Sequence, residues 1–239
     1  MEMLCQALRR TMMMMLMFMV LLLSCFLLEA DFVQACTCLP KHPQQHYCDS
    51  DYAIRVKIFK QKLKLPNGQR YEINDPEIPD LPIEVLSQSH REWSGVIQKV
   101  YKGFEKLKHT TTVNIYSPFY DSMCGVGTLM NDESYVIMGT FGHGGLNFDF
   151  CDWHHSWKTV TSKQRRGLKY WYAENCSCQI DTCGLRHPCG EAQPEASPTG
   201  CEWDAWHSRC TNQHTACVMT AQGCQWHQSK DLKQCLKAP

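Results

Sequence analysis

The sequence predicts a mainly β fold, a small barrel or sandwich of five strands, followed by a small domain held together by disulfides. Three observations predict it: five short strand-like stretches between residues 52 and 150, glycines that punctuate them, and cysteines crowded at the C-terminal end. Tyr52, Ile54, Val56 and Ile58 alternate with Arg55 and Lys57, which is the period of a half-buried strand. Residues 96–101, 111–116, 135–140 and 146–150 give four more candidates, separated by Gly125, Gly127 and the Gly142-His143-Gly144-Gly145 cluster. Five short strands without interleaved long helices argue against an α/β sheet. Beyond them, Thr161-Ser162-Lys163-Gln164 has capping-box spacing, and Leu168, Trp171 and Tyr172 face one side at helical spacing, while Gly167 argues against a helix there.

Residues 60–93 form a long insertion between the first two strands. It holds four prolines (Pro66, Pro76, Pro79, Pro82), and between Arg70 and His90 it has five acids (Glu72, Asp75, Glu77, Asp80, Glu84) and no basic residue. It reads as a projecting loop or extended hairpin, either a solvated spacer or a partner contact. In the last 60 residues, Cys183-Gly184-Leu185-Arg186-His187-Pro188-Cys189 and the stretch 194–200 indicate turns held by bridges.

The N-terminus reads as a targeting signal. Arg9 and Arg10 supply a positive flank, residues 12–28 are apolar except at Ser24 and Cys25, and Val33-Gln34-Ala35 offers small residues for cleavage. A signal anchor is the alternative, because the run approaches the length that spans a bilayer. Cleavage after Ala35 makes Cys36 the first mature residue. The formal charge is zero, so no strong field favours nucleic acid or anionic membranes, and no other stretch is apolar enough to insert in a membrane. Of 16 cysteines, Cys5 and Cys25 fall in the signal. The remaining even number at high density points to an oxidising compartment and export. Six lie from Cys36 to Cys176 and eight from Cys178 to Cys235, which sets the expected domains as 1–35 (signal), 36–176 and 177–239.

Cys36-Thr37-Cys38-Leu39-Pro40-Lys41-His42-Pro43-Gln44, then Cys48-Asp49-Ser50-Asp51, closely resembles the opening of the tissue inhibitors of metalloproteinases. Met123-Cys124-Gly125-Val126, Phe150-Cys151-Asp152, Asn175-Cys176-Ser177-Cys178, Cys201-Glu202-Trp203-Asp204, Ala216-Cys217 and Gly223-Cys224-Gln225-Trp226 continue the resemblance in order. It implies an OB-like (netrin-type) five-stranded barrel with flanking helices, and a smaller C-terminal domain. It also implies the bridges Cys36–Cys124, Cys38–Cys151, Cys48–Cys176, Cys178–Cys224, Cys183–Cys189 and Cys201–Cys217, which spacing alone leaves open. Cys210 and Cys235 exceed the family's usual set and are expected to bridge each other, with an intermolecular disulfide as the alternative.

The function implied is that of a secreted inhibitor of zinc metalloproteinases, not an enzyme, acting in the extracellular space or matrix with no cofactor of its own. In such an inhibitor the α-amino and carbonyl groups of Cys36 chelate the target's catalytic zinc and Thr37 enters the specificity pocket. Cys38, Leu39 and Pro40 extend one side of the wedge, and Asp121, Ser122, Met123 and Cys124 form the other. Partners implied are matrix metalloproteinases and related zinc endopeptidases, and protease precursors through the C-terminal domain. The rival reading is a netrin-type extracellular binding or signalling module without inhibitory activity; a thiol-exchange enzyme is a second rival. His154-His155 and His207 lack the His-Glu-x-x-His spacing of a zinc site. Trp153, Trp157, Trp171, Trp203, Trp206 and Trp226 read as core or disulfide-packing aromatics, and Asn175-Cys176-Ser177 as a glycosylation sequon whose middle residue is expected in a bridge.

Overall fold

The computed structural model describes residues 12–19, 36–142, 144–184, 188–189, 200–206 and 209–237. The chain divides into two compact units, Met1–Ala35 and Cys36–Pro239. In the first, residues 12–19 are helical with exposed side chains; the proposed cleavage pattern at Val33-Gln34-Ala35 lies outside the described residues. Among the described residues no helix is long and apolar enough to cross a membrane.

The second unit is built on seven strands: β1 (Tyr52–Lys64), β2 (Arg70–Glu72), β3 (His90–Lys102), β4 (Thr112–Pro118), β5 (Ser134–Gly142), β6 (Gly145–Asn147) and β7 (His154–Ser156). Five of them close into a ring in the order β1-β3-β4-β6-β5, because β1 pairs with β3 on one edge and β5 on the other. Breaks in register along the β1–β3 ladder, between Ala53 and Ile54, Arg55 and Val56, and Ile58 and Lys60, accompany this double pairing. Alternation sends Tyr52, Ile54, Val56 and Ile58 inward to meet Trp93, Val113, Ile115, Tyr135, Ile137, Leu146 and Phe148. Gly95 has no alternative residue here, since a Cβ on it would lie 2.5 Å from Val56 Cγ2.

Ala53, Val136 and Met138, on the outer face, are covered by a second layer that includes Tyr47, Trp153, Val160, Leu168 and Tyr172. Helix α1 (Pro43–Asp49) belongs to this layer. So does the segment starting at helix Ser162–Arg166, where Thr161 and Gln164 form the reciprocal cap that the sequence indicated. Gly167 is not a breaker in this place. A Cβ there would sit 2.4 Å from the Tyr172 ring, so the glycine lets Tyr172 fold back into the core, and the helix widens into a π turn over Gly167–Trp171.

One expectation is corrected: the fifth strand is Gly145–Asn147 rather than residues 146–150, because Phe148 leaves the ladder to fill the core and the chain then turns. Of the two readings of residues 60–93, the structure has the extended hairpin: β1 runs to Lys64 and β3 starts at His90, antiparallel to it, leaving an excursion of residues 65–89. That excursion is itself folded. Leu63, Leu65, Ile78 and Leu86 form a satellite core that Tyr71, Val85, Phe119 and Tyr120 pack against. Glu72 pairs with Lys60 at 2.9 Å and Lys62 at 3.4 Å.

The C-terminal part contains a parallel pair, β8 (Gln179–Cys183) and β9 (Gly200–Asp204), and a hairpin, β10 (Cys217–Thr220) and β11 (Gly223–Trp226). Its core is largely half-cystine: Cys178, Cys201, Cys217 and Cys224 with Ile180 and Trp203. Among the described residues there are seven disulfides: Cys36–Cys124, Cys38–Cys151, Cys48–Cys176, Cys178–Cys224, Cys183–Cys189, Cys201–Cys217 and Cys210–Cys235. The last joins helices Arg209–His214 and Lys230–Cys235. Trp206 departs from the core assignment; it is 67% exposed, its indole N–H donating to Gly184 O at the surface. Asn175 is buried, with Oδ1 accepting from Met219 N and Nδ2, the atom a glycan would occupy, donating to Trp171 O. His207 and the stretch 194–199 lie outside the described residues.

The seam between the barrel and the C-terminal part is polar. Gln44 Nε2 donates to Asn175 O and Cys217 O, and its Oε1 accepts from Cys217 N. His42 is fully buried beside the Trp203 and Trp226 rings; its Nδ1 caps α1 by accepting from Gln44 N, so its Nε2 is the nitrogen facing Thr211 O. Only the neutral ring can do both.

This ring should make stability depend on pH. Burial lowers the His42 pKa from 6.5 to about 3, so as pH falls the unfolded chain takes up the proton first and stability is lost between those values. His46, lowered to about 4, adds to this, whereas Asp152, raised from 3.8 to about 6, acts in the opposite sense over its own range. Comparing variants isolates the His42 contribution. Urea unfolding at about pH 7 and about pH 5 should show a smaller acid-induced loss for His42→Gln than for wild type, by up to about 1.4 kcal/mol per pH unit below 6.5; equal losses would contradict the assignment.

Candidate functional site

Residues 36–40 run without regular secondary structure along one edge of the molecule. Two bridges hold them. Cys36 and Cys124 have Cα atoms 5.1 Å apart, and Cys38 and Cys151 5.2 Å apart. The bridges lie side by side, with Cys36 Sγ 3.9 Å from both Cys38 Sγ and Cys151 Sγ. Thr37, between the two anchors, is exposed; Leu39 is 56% exposed, and Pro40 is half-buried as the chain turns toward α1.

Cys124 comes from the loop after β4. A 3-10 turn at Asp121–Met123 presents three exposed side chains and ends with Cys124 at φ 61°, the left-handed region that a cysteine rarely occupies. The loop bonds to itself: Met123 N and Gly125 N both donate to Tyr120 O, and Cys124 N donates to Asp121 O. Val126 N donates to Ser117 Oγ. A Cβ on Gly125 would lie 2.3 Å from Pro118 O and 2.6 Å from Tyr120 O, so this backbone can close only over glycine.

Cys151 comes from the turn after β6. Asp149 Oδ1 accepts from Cys151 N, and Asp152 Oδ2 accepts from Asp149 N. Burial, with the Asp149 charge alongside, raises the Asp152 carboxyl to about 6; the Asp149 amide and Lys41 oppose the rise. Phe150 N donates to Cys124 O at 2.8 Å, which ties the second and third segments directly.

All the sequence-indicated site residues thus meet at one edge: Cys36, Thr37, Cys38, Leu39 and Pro40 on one strand of chain, Asp121, Ser122, Met123 and Cys124 on the other. Sequence reasoning missed Phe150. It is 62% exposed and sits between the Cys124 carbonyl and Cys151, so with Leu39 and Met123 it adds a large apolar side chain to the same edge. Its position next to Cys151 was the available signal, but strand periodicity absorbed it. The groupings of sulfur at Cys36/Cys38/Cys151 and Cys178/Cys217/Cys224 are disulfide sulfurs rather than thiolate ligands. His154 Nδ1 meets Asp152 O at 2.8 Å, and His155 packs on Trp153; neither belongs to a cluster of three potential metal ligands among the described residues. The edge therefore offers a fixed main chain, small and apolar side chains, one acid at Asp121, and cysteines held as disulfides.

The sequence model described as tissue inhibitor of metalloproteinase matches residues 34–226. Similar proteins include "Metalloproteinase inhibitor 3" of Gallus gallus, 29% identical over 195 residues that cover 81% of this chain and 82% of the relative. "Metalloproteinase inhibitor 4" of Mus musculus is 32% identical over 202 residues, 81% of each chain. "Metalloproteinase inhibitor 3" of Xenopus laevis is 30% identical over 167 residues, 68% of each chain.

The tight loop at Gly125 carries a direct prediction. Gly125→Ala should destabilise the protein by about 1–3 kcal/mol through overpacking against the two carbonyls. Disulfide mapping should then show a fraction of molecules lacking the Cys36–Cys124 bridge; an unchanged midpoint in urea with full bridging would contradict the geometry.

Proposed function

The chain belongs to the tissue inhibitors of metalloproteinases, and from that premise we propose that it is a secreted inhibitor of zinc metalloproteinases, not an enzyme, whose inhibitory group is the main chain of Cys36. The observation that carries the reading is the doubly bridged segment Cys36-Thr37-Cys38, held at an exposed edge with Thr37 outermost.

The chemistry follows from what a catalytic zinc leaves open. Such a metal keeps three protein ligands and one position for water or substrate. After removal of residues 1–35, Cys36 carries a free α-amino group, and its nitrogen and carbonyl oxygen form a five-membered chelate with a metal. The amine binds only when neutral, and its reference pKa is about 8, so acid weakens the complex. The Cys36 sulfur is spent in a disulfide and serves to fix the amine. Thr37 enters the pocket next to the metal, Leu39 and Pro40 continue along one side of the cleft, and Asp121, Ser122 and Met123 fill the other. Phe150 borders both.

Rigidity makes such a wedge effective. The Cys36–Cys124 bridge spans a sequence separation of 88; closing a loop of that size stabilises by roughly 4–5 kcal/mol in the chain-entropy model. A preformed edge also loses little entropy on binding. Residues 36–176 form the inhibitory domain in this reading. Residues 177–239 form the second domain, which docks on accessory domains of protease precursors. The targets are matrix metalloproteinases and related endopeptidases outside the cell, and the only metal involved is theirs.

An alanine added before Cys36 should reduce inhibition of a matrix metalloproteinase catalytic domain by at least roughly 100-fold, about 2.7 kcal/mol, with unfolding unchanged. Retained inhibition by that variant, or secreted protein whose N-terminal sequence begins upstream of Cys36, would sink the mechanism in favour of a non-inhibitory binding module. Thr37→Gly should weaken inhibition of several proteases to different extents; identical inhibition constants across the panel would show that Thr37 enters no pocket.

A further inference from the structure

One arginine lies beneath the edge. Arg91, on β3 opposite Ser117 of β4, sends its side chain under the loop that follows β4. Its Nε donates to Phe119 O at 3.1 Å, and its guanidinium carbon stands 4.8 Å from the centre of the Phe119 ring. On the other limb of the loop, a Cβ built on Gly127 would meet the same guanidinium at 3.4 Å. A single planar group therefore bonds the chain that enters the loop and lies beside the chain that leaves it, with Cys124 between.

The placement has a cost. Burial of half the side chain lowers the Arg91 pKa, and the charge of Asp121, itself on the loop, opposes the shift. A charge is left in such a place when its hydrogen bonds and stacking are needed there. Lysine has neither the planar fork nor the flat face to bond Phe119 O and cover the Phe119 ring at once. Phe119 and Tyr120 also rest on the satellite core of the excursion, so the entering limb is held from two directions.

We propose that Arg91 is a positioning residue for inhibition: by fixing the spacing of the two limbs of the 118–127 loop, it sets where Ser122 and Met123 stand relative to Cys36. The proposal rests on the inhibitory reading of the edge given above. Arg91 touches no target atom and acts through the loop tip.

The test is a double-mutant cycle on full-length secreted protein with no titratable free thiol. Arg91→Met and Arg91→Lys are each made in the wild-type chain and in a Ser122→Ala/Met123→Ala chain, and dissociation constants are measured against a matrix metalloproteinase catalytic domain. The expected result is about ten-fold weaker binding for both substitutions in the wild-type chain, and less than about two-fold in the chain without the tip side chains. Equal losses in both chains would mark a general structural role and overturn the proposal. So would no loss in either chain, or full rescue by lysine. If Arg91→Met is not secreted folded, the cycle is read from Arg91→Lys alone, by the loss in each chain. Absence of inhibition by the wild-type chain would instead refute the inhibitory reading itself.

Discussion

Two adjacent disulfides, Cys36–Cys124 and Cys38–Cys151, impose the constraint on which the rest of the molecule depends. They join three segments that lie outside the strands and α-helices and make one edge of them. The barrel explains how their partners come to be adjacent. Strands β4 and β6 run parallel, with Ile115 opposite Leu146 and Tyr116 opposite Asn147, so the loops after both strands emerge at the same end. Phe148 N to Tyr116 O and Phe150 N to Cys124 O continue that alignment past the ladder. Cys124 and Cys151 are delivered side by side by strand pairing, and the N-terminal segment is then laid across them.

The ring must be rigid for this to hold, and β1 makes it so. Its alternating side chains fill the barrel while Ala53 faces outward under Tyr47 and Tyr172, so the strand is buried on both faces near its start. Helix α1 follows the edge segment directly and is pinned by the Cys48–Cys176 bridge and the Gln44 bonds to Cys217. The edge is therefore anchored at its far end as well. A small C-terminal part with little aliphatic core can serve as that anchor because half-cystines and two tryptophans replace the aliphatic side chains.

Much of the scaffold was legible in the sequence, and the reasons are local. Alternation in Tyr52-Ala53-Ile54-Arg55-Val56-Lys57-Ile58 and the reciprocal Thr161–Gln164 cap are properties of short windows, and they became the first strand and a helix start. What local reading missed depends on distant partners. The excursion after β1 reads as a projecting loop or hairpin without a core of its own, because its acids and prolines mask Ile78, Val85 and Leu86, whose burial depends on Phe119 and Tyr120 more than thirty positions on. Gly167 weakens a helix by propensity, yet the Tyr172 ring needs the space. Residue type makes Trp206 a core or disulfide-packing aromatic, and periodicity puts Phe150 in a strand. Both are at the surface because the chain turns just beside them. Cysteine spacing cannot specify the pairings of Cys36 and Cys38, since their partners are brought to them by a ring that no single window contains.

The buried polar side chains share a cause with the edge they support. Regular secondary structure satisfies backbone donors and acceptors internally; an irregular edge cannot, and each unmet buried group is costly. Here side chains take over that work. Asp149 and Asp152 receive the amides at the Cys151 turn, Ser117 receives Val126 N, and Arg91 donates to Phe119 O. His42, six residues past Cys36, caps the helix into which the edge runs. Placing an Asp in surroundings that raise it to about 6, or a His where its pKa falls to about 3, destabilises the charged form of each. Fold stability alone gives no reason to gather such groups around one irregular segment, since a barrel closes without them. A main chain that must stand in a fixed position outside any strand or helix does give that reason.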